Sequence, residues 1–81
     1  MPYIDSERRV GLWEGKYLPQ NVGELNYLIS LTCKTYMVNE GLSYKSINDV
    51  IGVLECAKQE FYRRIVVPYE DKKIEENGDI Y

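Results

Sequence analysis

Two stretches of the chain repeat apolar residues with the period of an α-helix. Leu25, Leu28, Ile29, Thr32 and Tyr36 follow at i, i+3, i+4, i+7 and i+11, which sets their side chains on one helical face. Asn21 precedes that stripe with Glu24 three residues on, as in a capping box, and Gly41 follows Glu40 as a left-handed terminator. A helix over about 22–39 is the expectation. Ile47, Val50, Ile51, Leu54, Ala57 or Lys58, Phe61 and Ile65 make the second stripe, with Ser46 as hydroxyl cap and Asp49 behind it. Pro68 is expected to end this helix, because proline disfavours helical backbone in the residue before it. The second helix then runs about 46–66, near 30 Å at the helical rise per residue.

The linker Glu40–Lys45 is short, so the two helices are expected to lie antiparallel as an αα-hairpin. The fold class is all-α, with short helices flanking that hairpin. Ser6–Trp13 reads as one of them, directing Val10, Leu12 and Trp13 inward, although Gly11 and Gly15 weaken the pattern. Lys16–Gln20 with Pro19 reads as a connection, and Tyr69–Glu76 as a solvated helix stopped at Asn77-Gly78. One small domain over residues 1–81 accommodates all of this, as an N-terminal arm (1–20), the hairpin, and an acidic C-terminal segment (69–81).

Apolar and small residues also lie off the main stripes: Leu31, Thr35 and Val38 on the first helix, Val53, Cys56 and Val66 on the second. Two helices cannot cover both faces of each other. A chain of 81 residues has a thin core of its own, and scaffolds of this size commonly gain stability from a partner subunit. A homo-oligomer is therefore expected, C2 symmetry being the commonest arrangement.

Composition narrows the chemistry. Apolar residues make up 44% and charged residues 28%, as in an ordinary folded domain. Ten Lys and Arg stand against thirteen Asp and Glu, a net charge of −3, with Glu70, Asp71, Glu75, Glu76 and Asp79 clustered near the C-terminus. That balance argues against a dedicated nucleic-acid binder. Cys33 and Cys56 are read as two buried free thiols of a reducing compartment. No apolar run reaches membrane-spanning length, and the start lacks the apolar core of a signal peptide, so a cytoplasmic protein is expected. There is no histidine, which removes the usual general base, the His-activated nucleophiles and most zinc sites.

What chemistry remains is recognition. Glu55 meets Lys58 and Gln59 at helical spacing, and Glu60 meets Arg63 and Arg64, which is the pattern of a solvated, ion-paired helix face. The same strip also reads as a recognition surface, Lys58, Arg63 and Arg64 facing an anion while Tyr62 stacks. Asn26 and Tyr27 join them as candidate binding residues. Eight tyrosines supply rigid, amphipathic contact area of the kind enriched in binding surfaces. Glu55 and Glu60 are out of phase on a helix and form no acid–base dyad, and Gly11 and Gly15 lack the Gly-Lys-Ser/Thr of a phosphate loop. No catalytic residue, metal site or cofactor is expected.

The blocks Gly23-Glu24-Leu25-Asn26-Tyr27, Asn48–Arg64, Pro68–Lys73 and Asn77–Tyr81 resemble a family of short, uncharacterised proteins common among phage and prophage sequences. The resemblance implies a viral setting, in the host cytosol, and carries no activity or residue role with it. Small phage proteins of this kind act by binding, some inhibiting a host protein and some sequestering a nucleotide signal of host defence. The expectation is a non-enzymatic binding protein that engages and inhibits or modulates a host protein, those of host defence included, or engages a viral one. The alternatives are an oligomeric sponge for an anionic nucleotide held between subunits, and a carboxylate-based enzyme.

Overall fold

A computed structural model describes residues 4–81. Four α-helices follow in order: α1 (Ser6–Trp13), α2 (Val22–Glu40), α3 (Tyr44–Phe61) and α4 (Val67–Asn77), with a π-helical turn, Tyr62–Val66, between the last two. Among the described residues there is no strand. The chain divides into two compact units, Met1–Ser46 and Ile47–Tyr81. Tyr3, one of the eight tyrosines, lies outside the described residues.

In the first unit α1 packs on α2. Helix α1 stops by a complete Schellman motif: the Gly15 N–H donates to the Leu12 carbonyl (3.3 Å) and the Lys16 N–H to the Gly11 carbonyl (2.8 Å). Gly15 takes φ +77°, the left-handed region that favours glycine. The glycines that weaken α1 as a pattern are thus its terminator and its packing site. Leu12 is the buried apolar side chain here, 2% exposed. Gly11 is buried against Tyr17, whose ring occupies the space that a Cβ on Gly11 would need.

Helix α2 begins as the sequence predicts, with the Asn21 side chain accepting from the Glu24 N–H at 2.9 Å. The face it turns inward differs from the predicted stripe. Glu24 is buried and Tyr27, Leu28, Leu31 and Thr35 are half-buried, whereas Leu25, Ile29, Thr32 and Tyr36 are exposed. An apolar face more than 100° wide leaves its rotational setting to whichever neighbour packs on it. Gly41 ends α2 at φ +88°.

Helix α3 starts two residues earlier than predicted, and Ser43, not Ser46, caps it. The Ser43 Oγ accepts from the Ser46 N–H (3.1 Å) and the Ser46 Oγ accepts from the Ser43 N–H (3.0 Å), a reciprocal box with serine in the place of glutamate. The Ser46 hydroxyl also donates to the Gly41 carbonyl at 2.7 Å, and Ser46 is 2% exposed.

The second unit is a single helical run, and Pro68 does not end it. The Val67 N–H donates to the Tyr62 carbonyl, five residues back, and the backbone stays helical through Val67. In an α-helix the proline ring at 68 would clash with the Arg64 carbonyl. The wider π turn opens the ladder just ahead of the residue that has no N–H to give, and α4 continues to Asn77 before Gly78 at φ +88°. No residue of this unit is buried; Asp49, Val50 and Val66 are half-buried, and the Cys56 thiol, expected inside, is exposed, while Cys33 on α2 is half-buried. The predicted core stripe is therefore uncovered within the unit: Ile51 is 61%, Phe61 63% and Ile65 55% exposed. One helix offers no second layer against which to bury its own face.

Candidate functional site

The polar strip of the second unit is built from local pairs. Lys58 Nζ lies 3.1 Å from Glu55 Oε2. Glu60 serves both arginines, one oxygen at 2.5 Å from Arg63 Nη2 and the other at 3.1 Å from Arg64 Nη1. These are the i,i+3 and i,i+4 contacts that helical spacing dictates, on side chains half to three-quarters exposed. The Gln59 amide, at 3.1 Å, and then Lys58 hold the Glu55 carboxyl below the ordinary glutamate value. The Tyr62 hydroxyl points along the helix and donates to Glu70 Oε1 at 3.4 Å. Both guanidinium groups share one carboxylate, so Lys58, Arg63 and Arg64 stand against Glu55 and Glu60 and the strip keeps one net positive charge.

Asn26 and Tyr27 lie in the first unit. Asn26 is exposed on α2, while Tyr27 packs towards α1. There it forms an open apolar groove of about 440 Å³ with Val10, Trp13 and Leu31, edged by Ser6 and Arg9. Tyr27 is thus a wall of the α1–α2 junction, and Asn26 does not share that groove.

Sequence reading missed a polar cluster that joins the first two helices. Arg8 of α1 forks onto Glu24 of α2, Nε to Oε2 at 2.9 Å and Nη2 to Oε1 at 2.5 Å. The Gln20 N–H donates to the same Oε1 at 2.9 Å. The Arg8 guanidinium also lies over the Tyr17 ring, 4.4 Å from its centroid. The Arg8 hydrogen bonds first, then the Gln20 N–H, hold the Glu24 carboxyl below its ordinary value, and Glu24 raises Arg8 in turn. Glu24 does not reach back to the Asn21 N–H as a capping box would have it. Three donors converge on the carboxylate and join two helices, which makes this a structural clamp. A signal did exist: a glutamate at an N-cap+3 position, with Arg8 sixteen residues upstream.

A family model described as a domain of unknown function (DUF6899) matches residues 1–80. The chain belongs to the DUF6899 family. No curated protein and no solved structure matches it. The family match takes in α1 and the Arg8–Glu24 clamp as well as the blocks from Gly23 onward.

What this DUF6899 domain offers to its surroundings is apolar and aromatic surface. Tyr36, Tyr44, Tyr62, Tyr69 and Tyr81 are exposed, whereas Tyr17 and Tyr27 pack within the first unit. Among the described residues no helix is long and apolar enough to cross a membrane.

Proposed function

We propose that this DUF6899 domain is a non-enzymatic binding module that engages a protein partner through the exposed apolar and tyrosine-bearing faces of its helices. One observation carries the reading: the second unit buries no residue, yet presents Ile51, Leu54, Phe61, Tyr62 and Ile65 along a helical run. A helix of that kind is held in shape by what it packs against rather than by propensity. In this reading the exposed stripes of α2 (Leu25, Ile29, Tyr36) and α3 (Ile47, Leu54, Phe61) close on each other as the antiparallel hairpin, Ile51, Tyr62 and Ile65 are left to the partner, and the module works as a homo-oligomer. The viral setting implied by the resemblance makes the partner a host protein, met in the host cytosol.

The nucleotide-sponge reading has less support. A phosphate would compete with Glu60, whose carboxylate already pairs with one nitrogen of Arg63 and one of Arg64.

Native mass spectrometry of the protein recovered from cells that naturally produce it tests both. The expected result is a complex with one protein species at fixed stoichiometry, reconstituted from the two purified proteins. A retained nucleotide in place of a protein moves the assignment to the sponge. Multiple turnover of any nucleotide or peptide by the pure protein would overturn the non-enzymatic assignment.

A further inference from the structure

The groove between α1 and α2 has one charged residue on its rim with nothing to pair. Val10 and Trp13 of α1 and Tyr27 and Leu31 of α2 line about 440 Å³, with Ser6 and Arg9 at the edge. Val10 is 55% and Trp13 52% exposed. At 100° per residue Tyr27 lies roughly half a turn around α2 from the Leu25–Ile29–Tyr36 stripe, so closing the hairpin leaves the groove open. Of the two arginines of α1, Arg8 is held by Glu24, whereas Arg9 has no carboxylate partner among the described residues. The fitting occupant is therefore apolar, with a negative charge beside its apolar side chains. The chain carries such a segment. After Gly78, Asp79 adjoins Ile80 and Tyr81, which are 90% and fully exposed, and no cation follows Lys73. The Tyr81 N–H donates to Asp79 Oδ1 at 2.9 Å, a local turn that sets the acid and the aromatic side by side.

We infer that the Asp79–Ile80–Tyr81 segment of a second copy of this chain docks in the α1–α2 groove, with Ile80 and Tyr81 against Trp13 and Tyr27 and Asp79 at Arg9. Charge complementarity supports that occupant, because the groove offers an unpaired guanidinium and the segment an exposed carboxylate next to its apolar pair. Area supports it as well. Val10, Trp13, Ile80 and Tyr81 together expose roughly 700 Å², and a twofold pairing makes the contact twice. The total reaches up to roughly 1,400 Å², which is within the range of a specific interface. Trp, Tyr and Arg are the residue types that dominate the energetics of such interfaces, and Trp13, Tyr27 and Arg9 meet at this groove.

The inference deepens the oligomeric part of the proposed function by naming both sides of the contact, and it rests on that reading. Sedimentation equilibrium of the full chain tests it beside the emission of Trp13, the single tryptophan, which reports the groove directly. The wild type is expected to self-associate, and its Trp13 emission to move to shorter wavelength as concentration rises. Removing residues 79–81 should weaken association by about tenfold or more and abolish the shift. Ile80 and Tyr81 stand free of the helices, so their removal leaves the fold intact, which circular dichroism checks. Arg9→Glu should weaken association by about threefold or more, and Asp79→Lys in the same chain should restore it, a rescue that a merely structural arginine would not give. Equal association with and without residues 79–81 overturns the inference and leaves the oligomeric reading standing. A Trp13 emission that stays constant while the protein associates does the same. A chain that is monomeric at all concentrations overturns both, and if that monomer still forms the stoichiometric partner complex the binding reading stands.

Discussion

Arg8 holds both oxygens of the Glu24 carboxylate in a fork, Nε on Oε2 and Nη2 on Oε1, and so ties the first helix to the first turn of the second. A third donor, the Gln20 N–H, closes the loop that joins them. The pair is the point at which a short helix of eight residues, too short to persist alone, becomes a fixed part of the first unit.

The clamp gives the first unit an acid-sensitive joint. The Glu24 carboxyl has a folded pKa below its unfolded value, so its contribution is present above the ordinary glutamate pKa, about 4.3, and is lost as pH falls through the lower folded value. Melting temperature should fall on acidification in the wild type, and by less in Glu24→Gln. Arg8→Lys should be destabilised almost as much as Arg8→Ala, because lysine cannot make the fork. Thermal melts at neutral and acid pH check all three.

Gly11→Ala should lower stability by about 1–3 kcal/mol, the cost of overpacking, although alanine is the better helix former by about 1 kcal/mol. The Tyr17 ring stands where the new methyl group must go. Pairing the change with Tyr17→Ala should recover part of the loss, and urea denaturation of the single and double variants measures it.

Ser46→Ala should cost about 1–3 kcal/mol, more than a solvent-exposed cap. It removes the acceptor of the Ser43 N–H and the donor to the Gly41 carbonyl at a site that is 2% exposed. Ser46→Thr keeps the hydroxyl and should separate the hydrogen bonds from the loss of volume in the same denaturation experiment.

Pro68→Ala should raise helix stability, by up to about 3 kcal/mol, as the restored N–H lets the ladder close in α-helical register. Backbone chemical shifts and amide hydrogen exchange over Tyr62–Val66 should show the π turn giving way. An unchanged exchange pattern would mean that Tyr62–Val66 holds its wide turn for reasons other than the proline.

Replacing Arg63 or Arg64 by Ala should change thermal stability by no more than about 0.5 kcal/mol, because both pairs with Glu60 are local and exposed. Loss of the partner complex without loss of stability would assign the strip to recognition. Loss of stability together with loss of oligomerisation would make the arginines structural, and differential scanning calorimetry beside native mass spectrometry distinguishes the two.

Helix existence and most helix ends were legible in the residues. Ser6–Trp13 as a helix, Asn21 as the cap of α2, Gly41 and the Asn77-Gly78 stop follow from local hydrogen-bond needs and backbone freedom, which depend on a few neighbours in the chain. The local ion pairs of Lys58, Arg63 and Arg64 follow for the same reason. Where two local rules competed, the pattern misled. Ser43 and Ser46 both suit a cap, and Ser43 took the role because Ser46 could then serve three partners at once. Pro68 breaks an α-helix, but a π turn supplies a helical backbone that tolerates it.

Tertiary structure decided which face of each helix is used. An apolar stripe says that a helix has a side to bury, but α2 is apolar over too much of its circumference for periodicity to fix its rotation. The Arg8–Glu24 fork and Tyr27 against α1 set it instead. Those contacts join residues fourteen or more positions apart, and their geometry depends on a loop closed by Gly15 and Tyr17. Residues 6–20 looked weak as a pattern because their glycines oppose helix formation, and only in three dimensions do those glycines become a terminator and a seat for an aromatic ring. The second unit shows the converse. Its sequence sets a strongly amphipathic helical run, while what covers that run lies outside any local rule, because burial is a property of two surfaces and the chain pattern specifies only one.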